Sequence, residues 1–180
     1  MVVLDKGPGL RAALHQIARR PQRRATLYLL APFIETDTAL WRATLGIANA
    51  GVRVSSFTRY TADRQLLNAL HQFNRLGGRT VFVENLHAKA FLWLADSPKE
   101  KAAFIGSHNF TRSSEMTAVE LGVLIWGDGW IESRIYDALR SAISALPAGG
   151  DSPAWKMRCR KASRCRVTET HDPRKELTCR

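Results

Sequence analysis

The sequence predicts an α/β domain: a mixed, mainly parallel β-sheet flanked by helices. Two observations carry this. Between residues 25 and 83, short apolar runs alternate with segments that are apolar at helical period, a β-α-β-α-β order whose parallel strands need helical crossovers. After residue 86 three apolar runs follow one another without a long helix between them, which calls for hairpin pairing within the same sheet.

Leu10, Leu14 and Ile17 recur at helical spacing, so the chain opens with an amphipathic helix that Pro21 stops. Ala25 to Ala31 is nearly continuous in apolar residues and reads as a buried strand ended by Pro32. Thr36 or Asp37 is expected to cap a helix carrying Leu40, Ala43, Ile47 and Ala50, which Gly51 ends. Val52 to Phe57 is the next strand. Thr61 is expected to cap a third helix with Leu66, Leu70 and Phe73 on one face, ended by Gly77-Gly78, and Thr80 to Val83 follows as a strand. The later runs are His87–Ala95, Ala102–Ser107 and Ala118–Trp126, the first two joined by a polar loop. Trp93 falls among core positions. A long helix carrying Ile135, Leu139 and Ile143 runs to Pro147.

These elements define a domain over 1–147. Residues 148–180 open with Gly149-Gly150 and Pro153, lack apolar periodicity and are expected to form a basic tail without regular structure. The net charge is +11, and residues 151–180 alone carry nine basic and four acidic side chains. Such an excess points to a polyanionic partner, nucleic acid first and an anionic membrane surface second. No run approaches the ~18–20 apolar residues of a membrane span, and no signal peptide opens the chain, so transmembrane association is not expected and a cytoplasmic setting is. Cys159, Cys165 and Cys179 all lie in the tail. Their odd number argues against a disulfide framework, and their spacing with His171 fits no usual zinc site.

The chemistry is concentrated in His87 to Glu120. His87 and Lys89 stand at i and i+2 on an apolar run, a spacing that turns both side chains to one face of a strand and lets them converge on one phosphate. Ser107 and Asn109 share parity at the end of the neighbouring run and are expected to meet that face. Gly106 is expected to leave room for close approach of a backbone, and Asn109 brings two amide donors. Glu120 is expected to accept from a ring N–H of His87, fixing its tautomer. Arg112 is a candidate phosphate contact, whereas His108 reads as a variable loop residue.

His87-Ala88-Lys89, Gly106-Ser107-His108-Asn109 and Glu120 together resemble the signature of the phospholipase D superfamily, and the stretch GSHNFTRSSEMTAVE looks like its single-motif nuclease branch. The resemblance covers about residues 25–145 at fold level and 87–120 at motif level. It departs in two respects: Leu94 holds the place of the family's aspartate, with Asp96, of the same strand parity, two residues later, and the separation from His87 to Gly106 is several residues longer than in the family's compact form, the extra length falling in the expected hairpin loop.

The resemblance implies a phospholipase D-like fold and a metal-independent phosphodiesterase without cofactor. His87 would form a phosphohistidine, Lys89 and Asn109 would stabilise phosphate charge, Ser107 would orient it and Glu120 would support His87. It also implies a homodimer, since the scheme needs two histidines and the chain has one His-x-Lys. An endonuclease with DNA favoured over RNA is the reading of first choice. A phospholipid hydrolase and a non-catalytic nucleic-acid-binding module of a larger defence system stay open.

Overall fold

The computed structural model describes residues 2–5, 8–19, 24–118, 120–146 and 155–157. Its elements are β1 (Val2–Asp5), α1 (Pro8–Arg19), β2 (Thr26–Leu30), α2 (Ala39–Asn49), β3 (Arg53–Thr58), α3 (Arg64–Arg75), β4 (Arg79–Phe82), β5 (Ala90–Leu94), β6 (Ala102–Gly106), α4 (Arg112–Met116), β7 (Gly122–Trp126), α5 (Trp130–Ala145) and β8 (Trp155–Met157). The strands form a mixed sheet in the order β1-β7-β6-β5-β2-β3-β4-β8. Strands β2, β3 and β4 pair in parallel through the crossover helices α2 and α3. The other ladders are antiparallel, so β1, β2, β3, β4 and β6 run one way and β5, β7 and β8 the other.

Both faces of the sheet are covered. Leu14 of α1, Trp41 and Ile47 of α2 and Leu70 and Phe73 of α3 pack on one face, against Leu27, Val54, Phe91 and Phe104. On the other, Tyr136 and Ile143 of α5 pack against Leu30, Phe57, Val81 and Ile125. The central strand β2 is therefore apolar on both sides, as its continuous run predicts. Trp93 is buried in the first cluster. The Tyr136 hydroxyl bonds the carbonyls of Lys101 and Gly127, tying α5 to the sheet, and burial pushes its pKa up to about 12.

Several local expectations change. The helix caps are Thr38, which accepts from the Trp41 N–H, and Asp63, which accepts from Gln65 and Leu66. Thr61 instead accepts from the Asp63 N–H. Thr36 and Asp37 stand too far ahead of the first turn of α2 to reach its free amides. The stops at Gly51 and Gly77 hold: both take positive φ, 86° and 93°, one residue past the caps Ala50 and Leu76. Strands β1 and β8 were not expected, because four and three residues are too short to show a period. Trp155–Met157 pairs with β4, so the C-terminal segment contributes an edge strand where none was foreseen. The rest of 148–180, with its three cysteines, lies outside the described residues. Among the described residues no helix is long and apolar enough to cross a membrane.

Two glycines give opposite predictions. A Cβ at Gly122 would lie 2.2 Å from the Phe104 ring, whereas one at Gly46, inside α2, would meet nothing within 4 Å. In urea unfolding, Gly122→Ala is expected to lose about 1–3 kcal/mol by overpacking. Gly46→Ala is expected to gain about 0.5–1 kcal/mol through reduced freedom of the unfolded chain.

Candidate active site

The topology brings the motif residues to one edge of the sheet. Strands β2, β3, β4 and β6 end at this edge and β5 and β7 begin there, because they run the opposite way. Open α/β sheets bind ligands at the carboxyl ends of their parallel strands. His87 and Lys89 precede β5, Ser107 and Asn109 follow β6, and Glu120 precedes β7.

His87 and Lys89 lie ahead of the ladder, whose first residue is Ala90. Lys89 still takes part through its carbonyl, which accepts from the Gly106 N–H at 3.1 Å. Its ammonium donates to the His87 carbonyl at 3.0 Å. His87 is exposed and Lys89 half-buried. In the register, Lys89 falls opposite Gly106 and Gly106 opposite Gly122. The row beside Lys89 is thus made of glycines, not of Ser107 as the strand parity was expected to give. The close backbone approach expected at Gly106 is found, since a Cβ built on it would lie 2.6 Å from the Leu121 carbonyl oxygen, and the space under the glycines is closed as well. The Phe104 ring fills it, at 2.7 Å from a Cβ built on Gly106, and it stacks on Phe91 with ring centroids 6.1 Å apart.

Glu120 is the anchor of the edge. Its carboxylate is buried and accepts from the Ser107 hydroxyl and from the Ser114 hydroxyl, the latter at 2.6 Å. These hydroxyls occupy it in place of the His87 ring expected from sequence. Burial pushes the carboxyl up, but the hydrogen bonds from Ser107 and Ser114, and then the charges of His108 and Lys89, outweigh it. The result lies below the ordinary glutamate value. The Ser107 Oγ also accepts from the Leu121 N–H at 3.1 Å, which fixes the hydroxyl's rotation.

Three residues here escaped sequence reading. His108 lies in the loop after β6, as read from sequence, but its side chain is buried and sets its ring edge-on to Phe104 at 5.1 Å. Ser114 sits on α4, a helix of five residues, too short to show a period. Glu115 accepts from Ala39 and Leu40 N–H at 3.0 and 2.7 Å, so it caps α2 from 75 residues away. Glu35 returns the contact by accepting from the Arg112 N–H at 2.7 Å. A Ile34–Phe110 bridge completes this docking. The local signal for α4 is Thr111, whose side chain accepts from Ser114 N–H as an N-cap.

Asn109 is half-buried. Its N–H donates to the Ser114 Oγ at 3.3 Å, and its amide oxygen is buried without a hydrogen-bond partner. Arg112 is exposed and makes a 3.9 Å ion pair with Asp37, both side chains largely in solvent, so its guanidinium is loosely held. Asp96 follows the far end of β5, roughly 20 Å from Lys89 by strand rise, and takes no part at this edge. Among the described residues, no group of three or more His, Cys, Asp or Glu side chains is placed to hold a metal ion.

The lowered Glu120 pKa has a consequence for stability. Since the native value is below the unfolded one, ionised Glu120 stabilises the fold in full above the ordinary carboxylate range. That contribution is lost as pH falls through the native pKa. Ser114→Ala removes one donor. It is expected to cost about 1.5–3 kcal/mol at neutral pH and to flatten the acid limb of urea midpoint against pH. Parallel acid limbs in wild type and variant would show that the Ser114 bond does not set the Glu120 pKa.

No protein-family model matches the sequence, and no curated protein matches it. Solved structures do. The chain is similar to Nuc from Salmonella typhimurium, a phospholipase D family member, at TM-score 0.63 and 15 % identity over 88 % of this chain and 99 % of that one. NucT from Helicobacter pylori matches at TM-score 0.58 and 14 % identity, covering 81 % and 94 %. Polyphosphate kinase from Porphyromonas gingivalis matches at TM-score 0.58 and 17 % identity over 79 % of this chain but 24 % of its own length. At these identities the likeness is one of fold, and the fold of the chain is phospholipase D-like.

Proposed function

We propose that this chain is a metal-independent phosphodiesterase acting on nucleic acid, most directly an endonuclease, through a phosphohistidine in a composite homodimer site. One observation carries the reading. An exposed imidazole, His87, and a lysine, Lys89, stand at the same strand edge as a hydroxyl–carboxylate pair, Ser107 and Glu120. The net charge of +11 supports a polyanionic substrate.

In this reading a ring nitrogen of His87 attacks phosphorus in line, and the bond from phosphorus to the leaving oxygen breaks. His87 of the partner subunit protonates that oxygen. Water then attacks phosphorus, gives its proton to the same imidazole and releases His87. Lys89 and Asn109 hold the nonbridging oxygens, through the ammonium and the side-chain amide N–H groups, which are the donors these residues bring. Arg112 contacts a neighbouring phosphate. Glu120 acts through Ser107, not on the His87 ring, so its role is to hold the edge in shape.

A homodimer needs a self-complementary surface near the site. Ile105 lies two residues before Ser107, and Leu121 shares backbone and hydroxyl hydrogen bonds with it. Both are exposed, as are Trp130 and Ile131 on the α5 side of the sheet. A second copy of the chain is the occupant this reading assigns to them. One likeness favours a second reading, a nucleic-acid-binding module without catalysis. TrmBL2, an archaeal chromatin protein that binds DNA, matches at TM-score 0.51 and 11 % identity, covering 84 % of this chain and 54 % of that one.

Purified protein incubated with plasmid, single-stranded DNA and RNA in excess EDTA is expected to cleave nucleic acid. His87→Ala is expected to lower the rate by about 10³-fold or more, and Lys89→Ala by about 10²–10³-fold. Salt-sensitive binding without cleavage would establish the second reading instead. Light scattering is expected to give twice the chain mass, and Trp130→Asp with Ile131→Asp to give a monomer with little cleavage. A fully active monomer would contradict the composite site.

A further inference from the structure

Three loops leave the carboxyl ends of β2, β3 and β4 at the edge that carries His87. They bear Phe33, Arg59 with Tyr60, and Leu86 with His87 in turn. Phe33 is 52 % and Tyr60 57 % exposed, although Leu86, Phe82 and Phe110 around them are buried.

Both rings are nonetheless held. Tyr60 stands edge-on to Phe82, centroids 5.5 Å apart and planes at 78°. The Arg59 guanidinium lies 5.4 Å from the centre of the Phe33 ring. That guanidinium is itself fixed, because its Nε–H donates at 2.7 Å to the carbonyl of Leu86, the residue before His87. The Phe33 carbonyl accepts from the Phe110 N–H at 3.1 Å, which joins the same unit to the loop of Ser107 and Asn109. The arrangement is an aromatic ring, a guanidinium and a second aromatic ring beside the candidate nucleophile.

Burial does not account for this placement, since both residues keep more than half of their surface exposed. Stacking on a planar ligand does. Aromatic faces and guanidinium planes stack on nucleobases whatever their identity, while a neighbouring cation meets the backbone. A base in a duplex is already stacked on both faces and offers none to a protein ring unless it is first extruded. We propose that Phe33 and Tyr60, with Arg59 between the loops, form a stacking platform for unpaired bases flanking the phosphate presented to His87. The platform makes single-stranded nucleic acid, or a single-stranded stretch within a longer one, the preferred substrate. The inference rests on the phosphodiesterase reading of the same edge and adds the substrate class to it.

The test uses the full chain and a labelled oligonucleotide in three forms: single-stranded, annealed to its complement, and abasic with the same number of phosphates. Binding is read by fluorescence anisotropy in a His87→Ala background, and cleavage in the wild-type background. The single strand is expected to bind tighter than the duplex and the abasic strand. Phe33→Ala and Tyr60→Ala are each expected to weaken single-strand binding by about 5–100-fold, the range for loss of one stacked base, and to leave abasic binding unchanged. Phe33→Trp and Tyr60→Phe are expected to keep wild-type affinity. Phe33→Leu, which retains apolar bulk without a π face, is expected to behave as Phe33→Ala, separating stacking from damage to the fold.

Equal binding of the single strand and the abasic strand would overturn the platform, as would alanine variants that keep the single-strand preference. If His87-dependent cleavage persists in either case, the platform fails and the activity stands. A protein that neither binds nor cleaves any of the three forms would overturn both.

Discussion

A buried carboxylate cannot be left without partners, and at this edge of the sheet that requirement falls on Glu120. Its two hydrogen bonds reach Ser107, just past the end of β6, and Ser114, on α4, so three segments within fourteen residues of one another must fold together for its charge to be satisfied. The same Ser107 hydroxyl accepts from Leu121, and the same Ser114 hydroxyl accepts from Asn109. Conformations of 107 and 109 are thereby coupled to one ionised group. In turn α4 is pinned to α2 by Glu115 and Glu35, which cap each other's helices. The candidate catalytic edge is thus braced on the crossover half of the domain.

The order of strands explains why motif residues scattered over thirty-four positions can act together. Reversal at β5 and again at β7 brings the start of one strand, the end of the next and the start of the third to one edge. The parallel half delivers its own loops to that edge, and with them Arg59 and Phe33. Gly106 and Gly122 serve the packing underneath. Without side chains they admit the Phe104 ring, which supports both the strand pair and buried His108. The stability and the layout of this edge are therefore one problem, solved by an aromatic under the strands and a carboxylate behind them.

How much of this was legible in the sequence follows from range. The helices around Leu14, Ile47 and Leu70 and the doubly buried run at β2 announce themselves by period, since each element records its own burial. Helix ends at Gly51 and Gly77 are equally local, because a positive φ selects glycine. The pairing of β5, β6 and β7 was likewise readable from apolar runs and reversals, but the shared strand face expected for Lys89 and Ser107 was not found, because Lys89 falls beside Gly106. Partner choice was not readable. Nothing in the run around Glu120 tells whether its carboxylate meets His87 or two serines. The Glu115 cap on α2 spans 75 residues and has no local pattern. β1 and β8 are too short for any period to speak, and exposure of Phe33 beside burial of Phe110 is decided by tertiary contacts alone.

The proposed reaction turns on His87 as nucleophile toward phosphorus, with the rest of the edge positioning a phosphodiester for it. The most direct measurement is mass spectrometry of protein quenched in alkali during turnover of a nucleic-acid substrate, conditions under which phosphohistidine survives. A phosphoryl adduct still esterified to a nucleotide is expected on the peptide containing His87, absent from His87→Asn. Turnover without any adduct on that peptide, or an adduct on another residue, would contradict the proposed reaction.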